Sequence, residues 1–413
     1  MRRGIFLDRL VDWLVTLFAL ERLLKLAAVL HFFQRPRPSQ PEAWPTVTVL
    51  QPVTRGASNL AAVLGVRATM DYPAAIQHLL ICDAGDSATQ ELVSAYLSAF
   101  PGIQAEVILV EPDNDTASVA TKMKKLQCAL PHATGEILCF VDDDVMLRPD
   151  ALRVLIPYLY RERVGVVFGL PCFTNWQTLW SSLVSGLVNA HMLLNFVALS
   201  YLTAPIRING HVFAFQRATF LSIGGLDGLE SHIDDEYEIA RRVRQHGLSA
   251  AQTPLIYDID NALDSAQAYA RQCKRWFVMP RQAMMPSLTL QEKFFFGLFS
   301  VTLPLPGIIA LLALLSRRRA AWRGVALSLS LFGAVYAICE RRFLQRSMPP
   351  RGWLLLPIVA LWLPLQILWT LLLNNEVEWR GQRLRLHKDG TVEILHSLDG
   401  TRRGYVEGRN DEP

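Results

Sequence analysis

From residue 46 onward the chain alternates short apolar runs with longer segments of helical spacing. Thr46–Pro52 (TVTVLQP), His78–Cys82 (HLLIC), Ala105–Val110 (AEVILV), Glu136–Val141 (EILCFV) and Val164–Leu170 (VGVVFGL) are rich in β-branched and aliphatic residues and have the length of strands. Between them Asn59–Met70, Ala88–Phe100 and Thr121–Leu130 have helical patterning, and Pro149 suits the first turn of a further helix. Strands alternating with helices predict an α/β fold built on a doubly wound, mostly parallel sheet. Ligands of such sheets gather at the carboxyl ends of the strands.

Longer apolar runs flank this pattern. Residues 10–33 are apolar but carry Glu21, Arg22 and Lys25, which leaves two readings: a transmembrane helix or a helix lying in the interface. The interrupted run has no small-residue cleavage site after it, which argues against a signal peptide. Residues 34–45 (QRPRPSQPEAWP) form a proline-rich linker. The 43 residues between Arg163 and Arg207 carry no charge. Leu179–Ala204 within them reads as a buried core helix or as one dipping into a bilayer. The second is preferred, because a core helix of a soluble domain usually keeps one polar face. Toward the C-terminus, Phe294–Leu315 (22 residues), Gly324–Cys339 (16) and Trp353–Leu373 (21) are uncharged, and the first and last are long enough to span a ~30 Å hydrocarbon layer. Three full crossings would set the tail opposite the sheet and leave basic loops on both sides, against the positive-inside rule, so one run is a re-entrant candidate. The expected division is 1–33, 34–45, a catalytic unit over 46–290 with a membrane-proximal insert at about 176–204, transmembrane helices over 291–375, and a basic tail over 376–413.

Composition agrees with this division. The chain is 51% hydrophobic and 19% charged, with a mean hydropathy of +0.22, which excludes a disordered chain or a small disulfide scaffold. A net charge of +4 is modest. Basic residues sit beside apolar runs (Arg317, Arg318, Arg319 and Arg323, then Arg341, Arg342 and Arg346), a pattern for anionic headgroups and not for nucleic acid. The cysteines at 82, 128, 139, 172, 273 and 339 form no CxxC pair and have no histidine cluster, which argues against zinc and suits a reducing compartment.

The strongest chemical signal is Val141-Asp142-Asp143-Asp144-Val145, at the end of the fourth expected strand. Residues two apart in an extended segment share a side, so Asp142 and Asp144 converge while Asp143 points away. A hard divalent cation, Mg²⁺ or Mn²⁺, relieves their repulsion; the alternative is a solvated acidic turn. Asp234-Asp235-Glu236 opens a helical pattern, where the acids either cap the helix or supply a general base to a hydroxyl. Gln272-Cys273-Lys274-Arg275-Trp276 lies on a helix leading to the first C-terminal apolar run. Arg275 offers a planar fork for phosphate and Trp276 a stacking face, unless the pair is an interfacial anchor. Asp83 and Asp86 follow the second strand, and Lys122, Lys124 and Lys125 precede the Asp142 strand. Asp83 is placed for a base or ribose and Lys122 for a phosphate, with ordinary turn and surface roles as the alternative. His211 and His232 are read as structural. No GxxxxGK[ST] occurs, which excludes a P-loop ATPase.

Taken in order, ICDAGD, FVDDDV, IDDEYEIARRV and QCKRW resemble the spaced motifs of family 2-type inverting glycosyltransferases with a GT-A fold. More narrowly, the chain is similar to the ceramide glucosyltransferase family and its bacterial hopanoid-glycosylating relatives, whose tail WRGQRLRLHKDGTVEIL (Trp379–Leu395) resembles. The resemblance covers about residues 46–395. It implies an integral membrane hexosyltransferase with its catalytic domain on the cytoplasmic side of a bacterial inner membrane. The enzyme would move one sugar from UDP-glucose or UDP-N-acetylglucosamine to a lipid hydroxyl, with inversion and with Mn²⁺ or Mg²⁺. It further implies Asp83 at the uridine, Lys122 on the donor side, Asp142 and Asp144 at the diphosphate and its metal, and Gln272, Arg275 and Trp276 closing over diphosphate and acceptor. The family's base is the second acid before a tyrosine. Here that pair reads Asp235-Glu236, so Glu236 stands where the family has Asp, and both residues are base candidates. Two further readings are a processive polysaccharide synthase, which shares DxD and QxxRW but needs helices enclosing a polymer channel, and a non-catalytic membrane scaffold, which the Asp-to-Glu departure favours.

Overall fold

The computed structural model describes residues 2–55, 59–111, 121–229, 232, 234–379, 382–388 and 390–397. One sheet collects β1 (Val47–Pro52), β2 (Ile76–Asp83), β3 (Ala105–Val110), β4 (Ile137–Val141), β5 (Val145–Met146), β6 (Val164–Phe173), β7 (Val212–Gln216) and β8 (Ser249–Ile259). Its order is β3-β2-β1-β4-β7-β6-β8-β5. The neighbours from β3 to β4 are parallel, as are β6 and β8. β7 runs against both β4 and β6, and β5 closes the edge antiparallel to β8. The expected mixed α/β class with a mostly parallel sheet is therefore present. The pattern does not predict β7 or β8 as strands: β7 is a short run beyond Arg207 and His211, and β8 carries polar residues among its apolar ones.

Helix α1 (Arg2–Gln34) precedes the sheet; α2 (Leu60–Arg67), α3 (Ser87–Ala99), α4 (Lys122–Ala129), α5 (Ala151–Leu155), α6 (Leu179–Leu199), α7 (Arg217–Ser222), α8 (Asp235–Gln245) and α9 (Ala266–Met279) are interleaved with the strands. Several start where a side-chain oxygen can accept a free backbone N–H. Asp86 caps α3 in this way, Thr121 caps α4, Thr178 caps α6, Asp234 caps α8 and Ser265 caps α9. Asp86 thus has the ordinary turn role. β1 and β4 are buried along their whole length because both sheet faces are covered, which explains their continuous apolar runs. Val49, Cys139 and Tyr257 belong to the core on one face, and Leu50, Phe140 and Phe213 to the core on the other.

The apolar helices depart from the sequence expectation. Phe294–Leu315 is not one helix: α10 (Leu290–Ser300) and α11 (Leu305–Ser316) meet at 48°, with Pro304 at the break. α12 (Arg319–Cys339) continues through a π-helical turn to Leu344, giving 26 residues. α13 spans Pro350–Leu372, and β9 (Glu376–Trp379), β10 (Gln382–Leu386) and β11 (Val392–Ser397) form a small antiparallel sheet. Among the described residues two helices, α6 and the α12 run, are long and apolar enough to cross a membrane, or three if the bent pair counts as one.

The connections limit what these helices do. α6 lies between β6 and β7, which pair directly, so it leaves the sheet and returns to it. Its lack of charge has a packing cause: the sheet covers one side, where Leu193 and Val197 share a core with Leu170 of β6, and α13 covers another, where Gly186 meets Val359. α13 touches the catalytic unit at both ends: Gly352 sits against Trp176, and Arg281 donates to the carbonyls of Thr370 and Leu373. The bent pair leads away from the sheet to Arg318, which binds Asp8 of α1, and α12 brings the chain back to Arg346, which binds Asp258 of β8. The tail sheet packs against α9 of the catalytic unit, where Val278 shares a core with Val377, Leu384 and Leu386. Arg380 and residues from 398 onward lie outside the described residues.

In α1 the charges at Arg22 and Lys25 turn inward, while Arg9 and Asp12 are exposed. Arg22 and Lys25 are 1% and 2% exposed. Arg22 Nη2 is 3.1 Å from His191 Nδ1 of α6, and Lys25 Nζ donates to Asn195 Oδ1 at 2.7 Å and contacts Glu21. Trp13, Leu17, Leu20, Leu23 and Leu24 are exposed on the outside. Polar groups inside and apolar groups outside is the arrangement expected of a helix in an apolar solvent.

Gly135 lets the start of β4 approach β1: a Cβ there would lie 2.4 Å from the Thr48 nitrogen and 2.7 Å from the Val47 carbonyl carbon. Backbone cannot yield as a side chain can, so Gly135→Ala is expected to cost about 1–3 kcal/mol, read as a lowered melting temperature. An unchanged melting temperature would contradict this account of the β1–β4 contact.

Candidate active site

Helix α4 places two lysines at the carboxyl edge of the sheet. Lys122 and Lys125 are three apart and so share a face. Lys125 Nζ reaches Asp83 Oδ2, at the end of β2, at 2.8 Å and the Val53 carbonyl at 2.6 Å. Lys122 Nζ reaches Asp142 Oδ1, just past β4, at 2.7 Å and Asp235 Oδ2, at the start of α8, at 3.9 Å. Burial works against the Lys122 charge, but Asp142 and Asp235 outweigh it and hold its pKa above the usual lysine value.

The acidic triplet divides its work. Asp234 is the helix cap and accepts the Tyr237 N–H. Glu236 Oε2 is bound by Arg207, which also contacts Asp234 Oδ1 at 3.2 Å; Glu236 Oε1 accepts the Gly210 N–H at 3.1 Å. A Cβ on Gly210 would lie 2.3–2.7 Å from Glu236 side-chain atoms, so only glycine admits Glu236 there. Burial raises the Glu236 pKa, but Arg207, His211 and Lys122 together outweigh it, and it lies below the usual value. Asp235 moves the other way: burial, Glu236 and Asp142 raise it against the pull of Lys122. Burial likewise pushes Asp234 up to about 6 despite Arg207. The two base candidates are therefore unlike. Glu236 is held as a carboxylate with both oxygens engaged, while Asp235 is the more basic and borders Lys122 and Asp142.

The DxD lies in a turn between β4 and β5, closed by the Val145 N–H on the Asp142 carbonyl at 3.4 Å, and not in the extended segment its spacing assumed. Asp143 turns away and accepts the Thr54 N–H at 2.5 Å. Asp142 faces Lys122. Asp144 Oδ1 is buried with no hydrogen-bond partner among the described residues, and burial with the neighbouring Asp142 and Asp143 pushes its pKa up to about 6 despite His211. An unpartnered buried carboxylate oxygen fits a cation. Among the described residues no three His, Cys, Asp or Glu side chains form a ready metal cage. An ion held by Asp142 and Asp144 would complete its shell with phosphate oxygens and water, as Mg²⁺-type sites do.

Gln272, Arg275 and Trp276 share a face of α9 by their spacing of three and four. Trp276 meets Phe173 edge-on at 6.0 Å, and Phe173 meets His211 edge-on at 6.5 Å. His211 in turn gives its carbonyl to the Asp142 N–H at 3.0 Å, and its Nδ1 lies 2.7 Å from Asn209 Oδ1. The Arg-Trp helix thus joins the carboxylate edge through one aromatic residue. Arg207, Asn209, Gly210 and Tyr257 (whose hydroxyl donates to Asn209 Oδ1 at 2.5 Å) were missed by sequence reasoning. His211, read as structural, lies at the site. The available signal was that Arg207 is the first charge after the long uncharged stretch. His232 lies away from this cluster, where it pairs with Thr391.

A mostly parallel sheet gathers DxD and an acidic helix start at one edge, with the Arg-Trp helix adjoining, and the chain is a glycosyltransferase by family. The family model of glycosyl transferase family 21 matches residues 13–392, and the chain belongs to that family. Among solved structures, the chain is similar to the mannosyltransferase PcManGT from Pyrobaculum calidifontis in complex with GDP-Man and Mn²⁺, with 18% identity, 81% of this chain and 99% of that chain covered, and a TM-score of 0.48. It is also similar to GalNAc-T7 with UDP, GalNAc and Mn²⁺, with 13% identity, 62% and 54% covered, and a TM-score of 0.39. No curated protein sequence matches it.

Asp144 yields a signed test. Its folded pKa, about 6, is raised from 3.8, so its contribution to stability is complete below the ordinary value and lost as pH rises through about 6. In the presence of a chelator, Asp144→Asn should melt above the parent at pH 8, with the gap closing toward pH 4. Mn²⁺ should raise the parent's melting temperature and leave the variant's unchanged. A variant that never melts higher would refute the unpartnered-oxygen account.

Proposed function

We propose that this glycosyltransferase moves a single sugar from a UDP-sugar to the hydroxyl of a lipid, with inversion, at a membrane surface. The observation that carries this reading is the continuity between the carboxylate edge and the apolar helices: Trp276 and Phe173 pack into the same core as Val184 and Leu183 of α6 and Val359 of α13. A lipid held against these helices would present its headgroup to the carboxylates, a proximity effect that removes much of the entropic barrier. The outward apolar faces of α1, α11 and α12 (Trp13, Leu311, Leu314, Leu327) suit a bilayer, with α1, the bent pair and α12 as the segments that enter it.

In this reading Asp83 and Lys125 flank the uridine, and Lys122 and Arg275 meet the diphosphate, where negative charge grows as the sugar leaves. Asp142 and Asp144 would hold the divalent ion, which supplies further charge stabilisation when bound. Asp235 takes the proton of the attacking hydroxyl. Its raised pKa makes it the better base, while Glu236, clamped by Arg207 and Gly210, shapes the pocket beside it. Gln272 and Trp276 border the acceptor. The Asp-to-Glu departure then leaves catalysis in place by moving the base one residue toward the N-terminus.

Single transfer is preferred over polymer synthesis because, among the described residues, two or three helices could cross a membrane and α6 returns to the sheet. Membranes holding the protein, given radiolabelled UDP-sugars, should yield one glycolipid carrying one sugar by mass spectrometry of the lipid extract. A ladder of long products would establish the synthase instead, and no transfer or hydrolysis from any UDP-sugar with Mn²⁺ would establish the scaffold reading. Trp276→Ala should abolish transfer while the protein stays in the membrane. Asp235→Asn should lower kcat by about 10²–10⁴, with Glu236→Gln losing less; the reverse ranking would return the base to Glu236.

A further inference from the structure

The tail sheet is gripped by the back of the helix whose front carries Gln272, Arg275 and Trp276. On that back, Lys274 Nζ donates to Asn374 Oδ1 at 2.8 Å, Arg271 lies 3.8 Å from Glu378, and Val278, fully buried, shares a core with Val377, Leu384 and Leu386. Just past the helix, Asn375 Oδ1 receives two donors, Arg281 Nη2 at 3.0 Å and Gln282 Nε2 at 2.7 Å. The same sheet reaches the other side of the site. Thr391 pairs with His232, two residues before the Asp234 cap. Gly390, with φ +84°, sits where a Cβ would be 3.2 Å from Ala283 and 3.6 Å from the His232 ring. One small element therefore touches both the Arg-Trp helix and the segment leading into the acidic helix.

We propose that the C-terminal sheet is a brace that sets the Arg275–Trp276 helix relative to the Asp234–Glu236 segment, with Asn375 as its positioning residue. The catalytic part of this inference rests on the function proposed above; the mechanical part does not. Stabilisation of the negative charge that grows on a leaving diphosphate is sensitive to the close placement of the groups that meet it, so a loosened brace acts on turnover more than on binding. Asn375 lies outside the reacting groups, and its carbonyl is the shared acceptor that a substitution removes.

The test uses the full-length protein in detergent or lipid discs. Asn375→Ala should speed amide hydrogen exchange in both 266–279 and 234–238, leave β1 and β4 unchanged, and lower kcat about 10- to 100-fold with the donor KM within about twofold. Asn375→Asp, which keeps an acceptor for Arg281 and Gln282, should restore exchange and bring kcat within about threefold of the parent. Faster exchange confined to the tail, an unchanged kcat, or an Asp variant as impaired as the Ala variant would overturn the brace. A parent protein without transfer would sink the lipid-glycosylation reading while the exchange data still decide the brace.

Discussion

Negative charge is concentrated at one edge of this sheet, and the structure is organised by what neutralises it. Asp142, Asp144, Asp234, Asp235 and Glu236 converge there, and left alone they would repel and draw in water. Lys122 holds Asp142 and borders Asp235, while Arg207 holds Asp234 and Glu236. Each cation is itself kept charged by the acids it serves. Asp144 is left outside this balance, and its bare oxygen is the place where an added cation has most to gain. A buried array of this kind is costly to assemble but fixes positions closely, because moving either cation strands a carboxylate.

The second constraint is the apolar face beneath the sheet. α6 carries no charged side chain; strand β6 covers one flank and α13 another, and His191 and Asn195 face α1. α1 keeps Arg22 and Lys25 by turning them toward α6 and showing apolar residues outward. The two helices therefore complete each other: neither Arg22 nor Lys25 could be buried without His191 and Asn195 facing them. The consequence for chemistry is adjacency. The edge where charge gathers and the face that suits a lipid are separated by little more than Phe173 and Trp276.

How far the sequence could be read follows from how local each feature is. DxD was legible as three adjacent acids after an apolar strand, but the strand alternation used to separate them does not apply, because Asp142–Asp144 form the turn between β4 and β5. The caps of α3, α4 and α8 were legible only as acids or hydroxyls at helix starts, so Asp86 could not be told from a ligand until its hydrogen bond was seen. Arg207 was marked only as the first charge after the uncharged stretch, since its partners Asp234 and Glu236 lie 27 and 29 residues further along the chain. α13 has the length and composition of a span, and its ends touch Trp176 and Arg281, which no hydropathy window can register.

The amino-acid sequence by itself determined the α/β class, the parallel strands of the first half, the presence of apolar helices and the motif set that marks a glycosyltransferase, because each depends on periodicity or on residues close together in the chain. Only the tertiary structure decided which acid is clamped and which is basic, that the tail sheet packs on α9, and that Arg22 and Lys25 of α1 are buried. Those outcomes depend on pairings between residues far apart in the sequence, whose distances and burial are set by packing alone.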